Sequence, residues 1–207
     1  MPHSSAPAPH KRLVVASANP GKLREFRCLL AGLPFELTSL AELRLPSPKE
    51  SGTSFLENAA LKARHAADLS GLAALADDSG LEVDALGGAP GLYSARYAGA
   101  GADDTANNAK LLRELQGLPM ERRRARYRCA LVFVNFAQDP APLEAVAEWE
   151  GFILDAPRGS GGFGYDPYFW LPDLGLTAAQ LDPEDKNRLS HRGMAMRALR
   201  DRLATRP

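Results

Sequence analysis

The chain reads as a mixed α/β protein, and three observations predict it. Short apolar, β-branched runs such as Leu13 to Ser17 have the length of buried strands. Capped segments with apolar residues at helical spacing, such as Phe55 to Leu69, fall between them. Strands and helices mix without strict alternation, which favours a mixed sheet with helices packed around it over a regular parallel barrel. A length of 207 residues, 45% of them hydrophobic, allows one globular domain or two closely packed lobes around a sizeable core.

The first strand, Leu13 to Ser17, runs into Ser17-Ala18-Asn19-Pro20-Gly21-Lys22. Asn19 can cap a helix and Pro20 suits its first turn. Leu23, Phe26 and Leu30 recur at helical spacing, and Gly32 can end that helix. Ser54 and Glu57 form a capping-box pattern for a second helix, with Leu56, Ala60, Ala63 and Ala67 as its stripe and Gly71 as its stop. Leu72 to Ala76 reads as a buried strand ending at Asp77-Asp78-Ser79-Gly80. Thr105 to Leu115 predicts a third helix, closed by Gly117 and Pro119. Tyr127, Cys129, Leu131 and Phe133 alternate along a strand, and a turn near Asp139-Pro140 leads to another through Val146, Trp149 and Phe152. A last helix from about Ser190 carries Met196, Leu199 and Leu203 on one side.

Charge is balanced, with 25 basic and 25 acidic residues, which argues against a chain that coats nucleic acid or membrane. No apolar run approaches a membrane span. Residues 1–12, rich in Pro, Ser and Ala, read as a disordered tail without the apolar centre of a signal peptide. Cys28 and Cys129 sit in apolar runs and predict two buried, reduced thiols, as in the cytoplasm.

Four segments can carry chemistry. Neighbouring side chains of a strand point to opposite faces, and two carboxylates are costly in a dry core. At a strand end, Asp77 and Asp78 can face a cleft and hold a hard cation through oxygen; a polar turn with a capping Asp fits the same residues. Ser17 to Lys22 offers a helix start with free N–H groups and a lysine one turn in, which suits an anion, although an ordinary strand–helix turn reads the same way. It lacks the glycine spacing and Lys-Ser/Thr pair of a Walker loop. Gly159 to Gly164 formally contains GxGxxG, but Tyr165-Asp166-Pro167 and an aromatic run follow it, not a helix. A glycine strip before Phe163 and Tyr165 suits close backbone approach to a planar ligand, or a loop over core aromatics. His191 and Arg192 open the last helix, where cations oppose the helix dipole and call for an anion or carbonyl partner. The five arginines of Arg122 to Arg128 suggest a solvated loop entering a half-exposed strand, with nucleic-acid binding as the alternative.

In order and spacing, these segments resemble the inosine triphosphate pyrophosphatase family in its bacterial XTP/dITP form. The resemblance runs from Leu13 to Leu203. It is carried by Ser17-x-Asn19-x-x-Lys22, by Thr53-Ser54-Phe55-Leu56-Glu57-Asn58-Ala59-x-x-Lys62-Ala63, and by Ala76-Asp77-Asp78-Ser79-Gly80-Leu81 through Pro90-Gly91. Tyr93-Ser94-Ala95-Arg96-Tyr97, Gly162-Phe163-Gly164-Tyr165-Asp166-Pro167 and Ser190-His191-Arg192 complete it.

The resemblance implies a mixed sheet flanked by helices, with residues 13–207 forming a single catalytic domain of two lobes about a deep cleft, usually in a homodimer. It implies magnesium-dependent hydrolysis of ITP, dITP and XTP to the monophosphate and pyrophosphate, cleansing the nucleotide pool. Asp78 would be the general base and a metal contact. Ser17, Ala18, Asn19, Pro20, Gly21, Lys22 and Lys62 would hold the triphosphate, and Ser79 would line the site. Phe163 would stack on the purine. Gly164, Tyr165, Asp166, Lys186, His191 and Arg192 would shape the base pocket. Many relatives carry two acids where this chain has Lys49-Glu50. Glu50 is then the expected metal ligand, with Asp77 or water completing the shell. The competing expectations are a pyrophosphatase for pyrimidine or modified nucleotides, and a non-catalytic RNA-binding module built on Arg122 to Arg128.

Overall fold

The computed structural model describes residues 11–204, so most of the expected tail lies outside the described residues. Its last two residues are not tail. Lys11 and Arg12 open strand β1 (Lys11–Val15), pairing with Phe35 and Glu36 of β2 (Phe35–Ser39). Helix α1 (Pro20–Leu29) follows the first strand. Next come α2 (Phe55–Ser70), β3 (Ala73–Val83), α3 (Asp104–Glu114), β4 (Arg124–Val134) and β5 (Leu143–Ile153). The chain ends with β6 (Phe169–Leu171), β7 (Leu176–Thr177), α4 (Pro183–Leu189) and α5 (His191–Ala204).

The strands form one mixed sheet in the order β2-β1-β3-β4-β5-β6-β7. β1 pairs in parallel with β2 and β3, and every later pairing is antiparallel. One face buries Leu13, Leu75, Leu131 and Phe133 with Phe26 of α1 and Met196 and Leu199 of α5. The other buries Val14, Ala74, Ala76 and Val132 under Ala59, Ala63, Ala66 and Ala67 of α2. These small side chains let α2 lie close to the strands. A third cluster is built on Leu81, Leu111, Tyr127, Trp149 and Phe169. The long β3 and β4 contribute to all three clusters.

The expected caps explain the helix ends. The Asn19 side chain accepts the Lys22 N–H at 3.1 Å. Ser54 Oγ accepts the Glu57 N–H at 3.1 Å, while Glu57 reaches back to Thr53 instead of closing the box on Ser54. Gly71 ends α2 in the left-handed conformation.

Two further expectations are corrected. Asp77-Asp78-Ser79-Gly80 is neither a strand end nor a turn: it lies inside β3, with Asp77 opposite Leu131 and Gly80 opposite Arg128. Its glycine serves close packing, since a Cβ there would stand 2.4 Å from the Gly91 carbonyl oxygen. Cys28 is exposed on the outer side of α1, because Phe26 and Leu30 take the inner side; Cys129 is buried as expected. The last helix, α5, starts at Ser190 as expected, and a short helix that was not expected, α4, started by Asp182 and Pro183, precedes it. Arg122 to Arg128 leads into a half-exposed strand as expected, and Arg124 and Arg128 pair across it with Glu150 at 2.8 Å and Glu148 at 2.7 Å.

Candidate active site

Successive residues of β3 face opposite sides, and this splits the site into two clusters that share one strand. On the first side stands Asp77, fully buried. Its Oδ2 accepts Arg192 Nε at 3.1 Å, Arg192 Nη2 at 2.9 Å and Ser79 Oγ at 3.0 Å. Lys22 Nζ lies 2.8 Å from its Oδ1. Burial pushes the Asp77 carboxyl up, but Lys22 and Arg192 outweigh it and hold the group far below the usual carboxylate range. The anion that the first turn of α5 calls for is therefore Asp77.

The same charge network continues outward. Arg192 also donates to Glu25 and, at 2.7 Å, to Ser79 Oγ. Lys186 Nζ bridges Glu25 Oε1 at 2.9 Å and Asp166 Oδ2 at 2.6 Å. Asp166 accepts the Tyr127 hydroxyl at 3.1 Å and the Phe163 N–H at 2.8 Å. His191 is buried and stacks on Tyr127 with ring centroids 4.7 Å apart and an interplanar angle of 9°. Burial, reinforced by Arg192 and Lys186, holds His191 well below its ordinary value, so its ring is neutral near pH 7. Its Nδ1 is buried without a partner.

These residues line a cavity of about 180 Å³ that opens to solvent. Asn19, Lys22, Ser79, Tyr127, Phe163 to Asp166 and Arg192 are among its lining residues. The Phe163 ring lies against the start of α1, where a Cβ on Gly21 would come within 2.5 Å of it. Lys186 Nζ sits 4.7 Å from the centre of the same ring.

On the other side of β3 stands Asp78. Its Oδ1 accepts Lys62 Nζ at 2.7 Å, and its Oδ2 accepts Asn58 Nδ2 at 3.2 Å. Lys62 also reaches Glu50 Oε1 at 3.1 Å, so one ammonium lies between two carboxylates. Arg96 pairs with the second Glu50 oxygen at 3.1 Å. Burial raises the Asp78 carboxyl, Lys62 opposes that, and Glu50 adds to the rise; the net direction is up. At Glu50 burial acts upward too, but Lys62 and Arg96 prevail and the group is lowered. Lys62 is raised, because Asp78 and Asp77 outweigh its burial.

The expected site residues thus fall into a pocket group, Asn19 to Lys22, Ser79, Phe163 to Asp166, Lys186, His191 and Arg192, and a carboxylate group, Asp78, Glu50 and Lys62. Ser17 supports the first by accepting the Asn19 N–H at 3.2 Å, while Ala18 is exposed at the mouth of the same turn. Asp77 is not beside Asp78 and Glu50 but on the opposite face among cations. Lys49 is exposed and adds no carboxylate. Sequence reasoning missed Glu25, Asn58 and Arg96. Glu25 stands one helical turn after Lys22, and that spacing was the available signal. No cluster of three or more His, Cys, Asp or Glu with metal-holding geometry occurs among the described residues.

The model of the Ham1 family matches residues 13–202. A dITP/XTP pyrophosphatase of Xanthomonas campestris pv. campestris (strain 8004) is 55% identical over 193 residues, covering 93% of this chain and 97% of the relative. One from Methylococcus capsulatus is 56% identical over 93% of this chain and 96% of its own length. The solved HAM1 protein from Coxiella burnetii superposes with a TM-score of 0.86 at 44% identity, over 95% of this chain and all of that one. A dITP/XTP pyrophosphatase from Mycobacterium abscessus gives 0.70 at 44% identity, over 91% and 98% of the two chains. With a family model matched over nearly its whole length and a shared fold, the chain belongs to the Ham1 family, to which its motifs pointed.

Proposed function

We propose that this chain hydrolyses ITP, dITP and XTP to the nucleoside monophosphate and pyrophosphate, and so clears these nucleotides from the pool. The observation that carries the reading is the division of β3: a pocket lined by Phe163, Tyr165 and Tyr127 on the Asp77–Ser79 side, and a lysine-bridged carboxylate pair, Asp78 and Glu50, on the other. The names of the relatives, dITP/XTP pyrophosphatase, point the same way.

Phe163 stacks on the purine, and Tyr165, Asp166, Lys186, His191 and Arg192 enclose it. Lys22 and Lys62 neutralise the triphosphate, and Asn19 and the start of α1 hydrogen-bond it. Asp78, the best-placed base, takes the proton of a water that attacks the α-phosphorus. The bond from that phosphorus to the bridging oxygen breaks, and pyrophosphate leaves. An attack at the α position gives pyrophosphate in one step, whereas attack at the γ position would give orthophosphate.

Asp78 and Glu50 fit a magnesium ion. An ammonium already bridges their oxygens, and magnesium is typically held by one or two carboxylates together with substrate phosphates and water. Bound there, it would neutralise phosphate charge and stabilise the leaving pyrophosphate. Asp77 is better assigned to fixing Lys22 and Arg192 than to the metal.

Selectivity rests on position 6 of the ring. Hypoxanthine and xanthine present an acceptor oxygen there and adenine a donor amine, so a pocket of donors leaves adenine unpaired, worth roughly four orders of magnitude. Residues 13–207 work as one catalytic domain, as a cytoplasmic homodimer; none of the described helices is long and apolar enough to cross a membrane. A panel of ITP, dITP, XTP, GTP, ATP and pyrimidine triphosphates with magnesium tests the reading. Equal turnover of all of them, or preference for pyrimidines, contradicts it.

A further inference from the structure

Phe163 stands between two glycines in the left-handed region, Gly162 at φ +72° and Gly164 at φ +64°. Such glycines leave the peptides on either side of the ring unusually free. The residue after Phe163, Gly164, is nonetheless held at both of its backbone polar groups, and the holder is α3. Asp104 Oδ2 accepts the Gly164 N–H at 2.7 Å. Asn108 Nδ2 donates to the Gly164 carbonyl at 2.9 Å.

We propose that Asp104 and Asn108 are positioning residues that clamp Gly164 and thereby set the placement of the Phe163 ring over the bound purine. This rests on the reading of Phe163 as the stacking ring.

Neither side chain is needed for the helix itself. Asp103 is the cap, accepting the Ala106 N–H at 2.8 Å, which leaves Asp104 available for the loop. Asn108 is buried in the second turn, where an amide is costly unless bonded. Its Nδ2 also donates to the Asp104 carbonyl at 2.8 Å, while its Oδ1 is buried without a partner. Two carbonyl acceptors thus fix the amide with its donor end toward Gly164. A carboxylate at position 108 would face those carbonyls and repel them.

The same helix holds a second segment that lines the cavity. Asn107 accepts the Ala98 N–H at 2.8 Å and donates to the Ala95 carbonyl at 3.2 Å, and Ala95 lines the pocket. The Tyr165 hydroxyl closes the brace on the Ser94 carbonyl at 2.8 Å. α3 therefore holds both segments and sets the gap in which a planar base must fit.

The test is a double-mutant cycle with Phe163→Ala, read by ITP kinetics and by amide hydrogen exchange. Asp104→Ala and Asn108→Leu should each raise KM for ITP about tenfold, the order expected for losing one well-made hydrogen bond, with kcat within about twofold. Asp104→Asn, which keeps an acceptor, should recover most of the loss. In the Phe163→Ala background, neither substitution should add to the effect. Exchange at the Gly164 amide should quicken in Asp104→Ala while the rest of α3 stays protected, and this arm needs no substrate. Unchanged exchange at Gly164, an unchanged KM, or effects that add in full to Phe163→Ala would overturn the proposal. Failure of the wild-type chain to turn over ITP, with the exchange result intact, would overturn the stacking role and the proposed function while leaving the clamp itself standing.

Discussion

Asp77 and Asp78 are neighbours in sequence but lie on opposite faces of one strand, Asp77 bonded to Arg192 at 2.9 Å and Asp78 to Lys62 at 2.7 Å. The first is buried among cations and holds the pocket together. The second meets a lysine and an amide on the face where phosphate chemistry is proposed. Two equal carboxylates are thereby given different work by the pleat of β3.

The pair predicts opposite phenotypes. Asp77→Asn leaves the Arg192 guanidinium buried against a neutral amide, so stability should fall by about 3–5 kcal/mol, the usual consequence of removing one partner of a buried ion pair. Asp78→Asn should change stability by no more than about 1 kcal/mol, because its raised carboxyl gains little from ionising there. Urea unfolding of both variants measures the difference.

Gly21→Ala separates stability from binding. Alanine is favoured over glycine in a helix by up to about 1 kcal/mol, and the three nearest neighbours of the new Cβ are atoms of the Phe163 ring. The ring can swing away, so unfolding should be unchanged or slightly harder. KM for ITP should rise about tenfold, since stacking on one base is worth about 1–3 kcal/mol. Thermal melts and initial rates on one preparation test both halves.

Glu25→Gln should loosen the pocket without touching the carboxylate pair. Glu25 faces Lys186 and Arg192, and losing its charge leaves those cations sharing Asp77 and Asp166. We expect a loss of about 1–3 kcal/mol in stability and a larger fall in ITP affinity than in kcat. Unfolding and ITP titration check it.

Acid should destabilise the fold in two windows. His191 is held below its ordinary value of 6.5, so below that pH the unfolded chain takes up a proton that the folded chain refuses. Stability therefore falls as pH drops below 6.5, by about 1.4 kcal/mol per unit until the folded group also titrates. Asp77, likewise lowered, contributes stability that is complete above its ordinary value of 3.8 and is lost below it. His191→Phe should remove the upper window and leave the lower one, as followed by unfolding from about pH 2 to pH 8.

Much of this was legible in the residues. Asn19, Ser54 and Gly71 mark helix ends because capping chemistry is local. The pocket residues from Phe163 to Arg192 were found through motif order. Asp77-Asp78 was placed at a strand end because a polar, glycine-containing tetrapeptide looks like a turn; only the pairing with β4, more than forty residues away, keeps it in a strand. Glu25 and Asn58 escaped because each looks like an ordinary polar helix residue until a distant partner faces it: Arg192 in one case, Asp78 in the other. The faces taken by Asp77 and Asp78 follow from the pleat, but which cations meet them depends on how α1, α2 and α5 pack.

The most direct test of the central claim is the identity and rate of the first phosphate product released from ITP, with magnesium, by the wild-type chain and by Asp78→Asn. The wild type should release pyrophosphate and IMP, at least about a hundredfold faster than from ATP. Asp78→Asn should fold normally and lose about two to four orders of magnitude in kcat. Orthophosphate as the first product, or a fully active Asp78→Asn, would contradict the account.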